Sequence, residues 1–122
     1  MVKTFTLRKQ LENRGCYVEI TLDYNRNDSV ADLSITYNAD PQWEYACKAG
    51  VKIFYDYFLR KTNSGLDIRI QSINWLPVDT NNLIVLFAVI QSLCEALNFE
   101  VKGLELDVME ERFIFPEKRS AW

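Results

Sequence analysis

The sequence predicts an α+β protein in which two helices cover one face of a mainly antiparallel sheet. Several segments alternate apolar and polar residues, which is the period of half-buried strands. Two longer segments repeat their apolar residues with the 3.6-residue period of a helix. The resulting order is ββαβα followed by a strand. A chain of 122 residues can form one core and is too short for two, so we predict a single domain over residues 1–122.

The two strands before the first helix are predicted from strict alternation. Apolar side chains occupy every second position from Val18 to Tyr24, and again from Ala31 to Tyr37. Residues 25–28, Asn-Arg-Asn-Asp, have the chemistry of a turn. We therefore expect the two strands to pair as an antiparallel hairpin. Residues 1–14 are expected to hold a short N-terminal strand and a polar connection.

The first helix is predicted to begin after Asp40, which can cap the unpaired amides while Pro41 takes the first helical position. Apolar side chains then recur along one side of the helix from Trp43 onward. Thr-Asn-Ser-Gly at residues 62–65 is a typical helix end. Gly50, inside the helix, indicates that another backbone approaches closely there.

A strand from residue 66 to residue 75 changes its parity near residues 72–74, which predicts a bulge or bend. The second helix is expected to have Asp79 as its N-cap, with Val78 and Leu83 forming a hydrophobic staple. Apolar residues cover more than half of this helix, so we expect it to be buried on more than one side.

Alternation resumes from residue 99 to residue 108 and is interrupted at Gly103. We interpret this segment as a last strand with an acidic outer face. The following apolar residues 113–116 are expected to pack back on the core, and residues 117–122 form a tail that can fray.

The charge distribution narrows the class of function. There are 14 Lys and Arg against 17 Asp and Glu, which gives a net charge of −3. An acidic chain repels phosphate backbones, so nucleic acid is not the expected partner. Most of the excess lies in residues 100–111, where five carboxylates accompany one lysine.

The cysteines and the hydropathy pattern indicate a cellular compartment. Cys16, Cys47 and Cys94 are odd in number and far apart, unlike the close pairs of zinc or dithiol sites. We interpret them as reduced, buried thiols in a reducing compartment. The N-terminus has no apolar signal region, and the longest apolar run, residues 83–90, is far shorter than the roughly 20 residues that span a bilayer. We expect a cytoplasmic protein without a membrane partner.

Three segments in the middle of the chain resemble the fourth domain of elongation factor G, the ribosomal translocase. They are ACKAGVKIF at residues 46–54, GLDIRI at residues 65–70, and VDTNNLIVLFAVIQSLCEAL at residues 78–97. The resemblance covers residues 43–97 and implies a two-layer split β-α-β sandwich. The family's glycine-rich strand loop, its histidine before the Val-Asp pair and its GTPase domain have no counterpart here. The resemblance therefore implies the fold and not a role in translocation.

The sequence contains no histidine, which removes the commonest general base and most metal sites. We predict no catalytic residue, no metal and no cofactor. An enzyme that uses carboxylates remains a hypothesis. We favour other roles for these residues: Asp79 as a helix cap, and the later carboxylates as a solvated or partner-facing strand surface. The residues of that hypothesis are Asp79, Glu105, Asp107, Glu110 and Glu111.

Two surfaces are candidate binding sites. One of them lies on the first helix. At 100° per residue, four of its side chains fall within about 80° of one another on the exposed side. Tyrosines and lysines mixed in this way could stack on bases or anchor an interface. The acidic surface consists of Glu100, Glu105, Asp107, Glu110 and Glu111. The Tyr/Lys helix face consists of Tyr45, Lys48, Lys52 and Tyr55.

These observations predict a non-catalytic protein-binding module. The leading hypothesis is an immunity or inhibitor protein of a bacterial cell that neutralises a basic, nuclease-type toxin through the acidic surface. Complementary charge of this kind speeds association and sets specificity. The alternatives are another protein-interaction role and an RNA- or ribosome-associated role of the Tyr/Lys helix face.

Overall fold

The computed structural model describes residues 1–107 and 112–115, and this part of the chain forms two layers. A four-stranded sheet has the order β1-β2-β4-β3, and both long helices pack on one of its faces. The predicted α+β class, with a mainly antiparallel sheet, is confirmed. The elements are β1 (Val2–Gln10), β2 (Gly15–Asn27), β3 (Leu33–Tyr37), α1 (Glu44–Thr62), β4 (Gly65–Trp75), α2 (Asn82–Ala96), β5 (Glu105–Asp107) and β6 (Arg112–Ile114).

The order of the strands differs from the sequence-based expectation. β4 lies between β2 and β3, so the predicted hairpin of β2 and β3 is wrong. β2 instead forms its hairpin with β1, and β3 pairs with β4 in parallel, with α1 as the connection. Both pairings satisfy the same alternation, because alternation specifies the buried face of a strand and does not specify which strand lies beside it.

The first strand is longer than predicted. It pairs with β2 along its whole length, from Val2 opposite Asp23 to Gln10 opposite Gly15. Leu11 N–H donates to the Arg14 carbonyl at 2.7 Å and closes the turn between the two strands. Only Phe5 and Leu7 of β1 are buried apolar residues, so its sequence signal is weak. β1 is one edge of the sheet.

The predicted break in β4 is present one residue earlier than expected. Thr21 of β2 lies opposite Ser72, whereas Leu22 lies opposite Ile70, so Gln71 is the extra residue of a bulge. The bulge returns the apolar side chains after it to the helix-covered face, where Ile73 is buried.

The helix α1 begins slightly later than predicted. The Asp40 side chain accepts a hydrogen bond from Gln42 N–H at 3.0 Å and so caps a short 3-10 turn, Pro41–Trp43, that precedes α1. The close approach expected at Gly50 is confirmed. A β-carbon at this position would lie 3.1 Å from the Val89 side chain and 3.2 Å from the Leu86 carbonyl oxygen. Gly50 thus marks the crossing of α1 and α2.

The start of α2 corrects the predicted cap. Asn81, not Asp79, is the N-cap, and its side chain accepts from Ile84 N–H at 2.9 Å. Val78 is 93% exposed and Leu83 45% exposed, so the predicted staple is wrong. Thr80 is buried instead; its hydroxyl accepts from Leu76 N–H at 3.0 Å and donates to the Tyr17 carbonyl. The first bond closes the turn that follows β4, and the second ties this turn to β2.

Replacing Asn81 by alanine is expected to destabilise the fold by about 1 kcal/mol, because the Ile84 amide loses its acceptor. Asp79→Ala removes no helix cap and is the comparison. Asn81→Asp keeps the acceptor and should be neutral or slightly stabilising near the positive end of the helix dipole. Urea unfolding followed by circular dichroism measures all three. Unchanged stability in Asn81→Ala would contradict its role as the N-cap.

The core lies between the helices and the sheet. As expected, α2 is buried on more than one side, with residues such as Val85, Ala88 and Leu93 fully enclosed. The segment from residue 98 to residue 104 is a loop and not a strand, since Asn98 (φ 49°) and Gly103 (φ 88°) adopt left-handed backbone conformations. Of the described residues of the predicted last strand, 105–107 form β5, which pairs with β6 in a separate two-stranded sheet, and residue 108 lies outside the described part.

Of the apolar residues 113–116 that were predicted to pack back, Phe113 and Phe115 lie against α2, whereas Pro116 lies outside the described residues. The Phe87 ring lies 4.7 Å from that of Phe113 and 6.2 Å from that of Phe115. The predicted tail, residues 117–122, lies outside the described residues. Among the helices of the described part, none is both long and apolar enough to cross a membrane.

Candidate functional site

Two adjoining depressions lie along the C-terminal half of α2. The larger, about 620 Å³, lies between α2 and the loop that leads to β5, and the smaller, about 440 Å³, lies between α2, β1 and β5. They form one continuous surface, here called the α2 groove. The residues that line both parts are Gln91, Glu95, Leu104 and Glu105.

The larger part of the α2 groove is acidic. Three carboxylates, Glu95, Glu100 and Glu105, line it together with a single basic residue, Lys102. Glu95 forms an ion pair with Lys3 at 3.1 Å. Within the described residues, Glu100 and Glu105 are exposed and form no ion pair.

The structure brings together only part of the predicted acidic surface. Glu100 and Glu105 lie in the α2 groove. Asp107 is half-buried, and its carboxylate lies 3.9 Å from Arg112 of the neighbouring strand β6, which offsets its charge. Glu110 and Glu111 lie outside the described residues.

The predicted Tyr/Lys helix face is smaller than expected. Tyr45 is 86% exposed and Lys52 is exposed, whereas Lys48 is half-buried and bound to Glu44 at 2.7 Å. The predicted exposure of Tyr55 is wrong, because its ring is buried and its hydroxyl donates to the Ser64 carbonyl at 3.0 Å. Burial, aided by the charge of Asp32, raises the pKa of Tyr55. The residue closes the end of α1 against the start of β4.

The carboxylates considered for chemistry do not converge on one point in the described part of the chain. Asp79 lies in the turn before α2, away from the α2 groove, and its backbone carbonyl accepts from Tyr17 N–H at 2.9 Å. A β-carbon at Gly15 would lie 3.1 Å from the Asp79 carboxylate, so the two residues are packed together. No group of three or more potential ligands within residues 1–107 and 112–115 could hold a metal ion.

The three cysteines are free thiols. Cys16 and Cys47 are buried as expected, whereas Cys94 is half-buried and lines the α2 groove. Burial raises the pKa of Cys47 to about 12 and that of Cys94 to about 11. Both are therefore neutral thiols at physiological pH, which is the less reactive form.

The sheet face opposite the helices is polar and largely satisfied by its own hydrogen bonds. The Glu19 carboxylate on β2 accepts from Asn74 Nδ2 and from the Thr6 hydroxyl, both at 2.9 Å. The bond from Asn74 and then that from Thr6 lower the pKa of Glu19. Above Tyr17, the Arg8 guanidinium lies 4.9 Å from the ring centre. These side chains already bind one another across the strands.

Sequence reasoning missed the wall that β1 contributes to the α2 groove, together with Gln91 and Glu95. The wall depends on tertiary structure, because β1 and α2 are far apart in sequence. Gln91 and Glu95 do carry a signal. They are spaced i and i+4 on an otherwise strongly apolar helix, which places two polar side chains on one side of its last turns.

The sequence matches no protein-family model and no curated protein. Among solved structures, the chain is similar to a protein from Thermus thermophilus, with a TM-score of 0.59 and 13% identity; the match covers 77% of this chain. It is also similar to a mevalonate kinase over 84% of this chain, with 12% identity, but the TM-score of 0.44 is too low to carry an argument. The chain spans only 15% and 42% of these two proteins. The first likeness shows a shared fold and no more.

Proposed function

We propose that this chain is a non-catalytic protein-binding module that engages a basic partner through the acidic part of the α2 groove. The observation that carries the proposal is the position of Glu100 and Glu105, two exposed carboxylates without ion pairs in the described part, in a concave surface. A basic side chain that meets Glu100 or Glu105 gains charge-assisted hydrogen bonds without first breaking an ion pair of the described residues.

The groove combines this charge with apolar surface. Phe99, Val101 and Leu104 line it beside the carboxylates. Phe99 is held in place by two buried rings of α1, at 5.5 Å from Phe54 and 5.3 Å from Phe58. An interface usually needs such an apolar centre for affinity, whereas the surrounding charges mainly raise the association rate and exclude wrong partners.

In its more specific form, the proposal is an immunity or inhibitor protein. A nuclease-type toxin carries basic residues where it binds phosphate, so an acidic groove that covers those residues would block its substrate. We further propose a location in the cytoplasm of a bacterial cell, which the free thiols support because a reducing compartment keeps thiols unpaired.

The test is charge reversal at the groove. The double variant Glu100→Lys/Glu105→Lys is compared with Glu12→Lys/Asp56→Lys, which changes the net charge equally at exposed carboxylates outside the groove. Each protein is used as bait in a lysate of its host at low and at moderate salt. We expect the unmodified chain and the control to retain the same basic protein, and the groove variant to bind it about tenfold more slowly or not at all.

Equal losses for both double variants would contradict the proposal, since they would show that only net charge matters. Retention of ribosomes or RNA, abolished by Lys52→Glu, would favour the Tyr/Lys helix face instead. Once the partner is purified, its nuclease activity is measured with increasing amounts of this chain. Stoichiometric inhibition would support the inhibitor form, whereas binding without inhibition would leave only the binding module.

A further inference from the structure

The edge of the sheet formed by β1 faces the α2 groove. Within the described residues, β1 pairs with β2 alone, so its other side offers backbone groups that no strand uses. Five consecutive residues, Phe5 to Lys9, line the smaller part of the groove. An open strand edge of this length is a template for another strand.

The hydrogen-bond pattern shows which backbone groups point to the open side. Met1 and Tyr24 exchange two bonds: the Met1 amino group donates to the Tyr24 carbonyl at 3.0 Å, and Tyr24 N–H donates to the Met1 carbonyl at 2.8 Å. In an antiparallel pair, every second residue is bonded in this way. The odd-numbered residues of β1 therefore face β2. Thr4, Thr6 and Arg8 direct their backbone N–H and C=O groups away from it.

The opposite wall of the groove is also a strand. β5 pairs with β6 and belongs to a separate sheet, so no ladder joins β5 to β1 in the described part. Leu104, Glu105 and Leu106 face β1 across the groove, with Phe87 of α2 between them. The smaller part of the α2 groove thus separates the two sheets, with a strand on each side and α2 below.

The α2 groove has carboxylates at one end of β1 and basic residues at the other. Glu95 is bound to Lys3 at the start of β1, and Glu100 lies nearby in the adjoining part of the groove. Arg8 and Lys9 line the other end. At about 3.4 Å per residue, Lys3 and Lys9 are about 20 Å apart, which is the length of six extended residues. Phe5 and Leu7 lie between them and are buried.

We propose that the α2 groove is a strand-addition site, which binds an extended segment of a partner protein against the open edge of β1. The segment pairs its backbone with Thr4, Thr6 and Arg8. Its apolar side chains alternate and face Phe87 and Leu106. At the end near Lys3, a basic side chain lies beside Glu100, which forms no ion pair within the described residues. The proposal rests on the proposed function, since it specifies how the basic partner enters the groove; main-chain bonds supply affinity and alternate side chains supply specificity.

The test uses a displayed library of random dodecapeptides selected on the full chain. We expect the selected peptides to share alternating apolar residues with Lys or Arg at one end. Synthetic copies are then bound to three proteins: the unmodified chain, Thr6→Pro and Thr6→Val. Thr6→Pro removes one backbone donor on the open side and leaves the bonds to β2 intact. Thr6→Val is the matched control, because both substitutions remove the hydroxyl that binds Glu19.

Thr6→Pro should weaken peptide binding about tenfold or more, and Thr6→Val by about twofold at most, since a lost backbone bond and a ring facing the added strand act together. Amide hydrogen exchange in the unmodified chain gives a second measurement that needs no variant. The amides of Thr6 and Arg8 should become protected when the peptide binds, whereas those of Phe5 and Leu7 should be protected already.

Several results would overturn the strand-addition site: no selected peptide, equal affinities of the two Thr6 variants, or unchanged exchange at Thr6 and Arg8. Protection of those amides in the free chain that disappears when residues 116–122 are deleted would assign the edge to the chain's own tail. The two proposals fail separately. If Glu100→Lys/Glu105→Lys abolishes binding and the two Thr6 variants bind equally, the basic partner is supported and strand addition is contradicted. If the Thr6 variants differ and the double variant binds normally, strand addition is supported and the basic partner is contradicted.

Discussion

Replacing Gly65 by alanine is expected to destabilise the protein by about 3 kcal/mol, at the upper end of the losses caused by overpacking. A β-carbon at this position would lie 2.2 Å from the Val30 carbonyl oxygen and 2.7 Å from that of Asp32. Both contacts are with backbone atoms, which cannot rotate away as a side chain does. The chain before β3 would have to move, although Leu66 N–H holds it by a 2.9 Å bond to Asp32.

Gly50→Ala is the matched control for Gly65→Ala. Its β-carbon would meet the Val89 side chain and the Leu86 carbonyl at 3.1 and 3.2 Å, which are much milder contacts. Alanine also favours the helix by about 1 kcal/mol over glycine, which offsets part of the crowding. Urea unfolding of both variants measures the difference. If Gly65→Ala loses no more stability than Gly50→Ala, the chain before β3 is more adaptable than its contacts indicate.

Phe54→Ala is expected to destabilise the protein by about 3–5 kcal/mol, because it leaves a ring-sized cavity in the core. Phe54 is fully buried on α1. Its ring lies 5.7 Å from Phe58 and 5.5 Å from Phe99. Because Phe99 precedes Glu100, the same change should also loosen the loop that carries the acidic part of the α2 groove.

Two measurements separate these effects of Phe54→Ala. Urea unfolding gives the loss of stability, and Phe54→Leu, which keeps most of the volume, should lose clearly less. Amide exchange in residues 98–104 at low denaturant reports the loop, and we expect it to be faster in Phe54→Ala. A loss of stability with unchanged exchange in the loop would show that contacts other than the one with Phe54 hold Phe99 in place. A loss below about 1 kcal/mol would contradict the close packing of a buried phenylalanine.

The binding proposals and the stability predictions concern different parts of the molecule. Gly65 and Phe54 are buried and closely packed, so their substitution changes the stability of the fold. Glu100, Glu105 and Thr6 are charged or polar residues of the groove, so their substitution should change what the folded protein binds. Comparing both groups by unfolding and by binding therefore tests whether the groove acts independently of the fold.

Residue order determined much of this protein by itself. The alternation in β2, β3 and β4, the 3.6-residue period of α1 and the strongly apolar α2 are local patterns that specify which face of each element is buried. Gly50 predicted the close crossing of the helices, and the change of parity in β4 predicted the bulge at Gln71 to within one residue. For the site, the same patterns identified Glu100 and Glu105 as exposed acidic residues.

Only the tertiary structure decided which elements meet. An apolar face packs equally well beside several neighbours, so alternation did not place β4 between β2 and β3. Helical periodicity put Tyr55 on the exposed Tyr/Lys helix face, whereas its hydroxyl binds Ser64 beside β4 and its ring is buried. The α2 groove arises in the same way, because β1, α2 and the loop before β5 come from distant parts of the chain. A local pattern predicts which side of one element is buried, whereas a groove forms only where several elements meet.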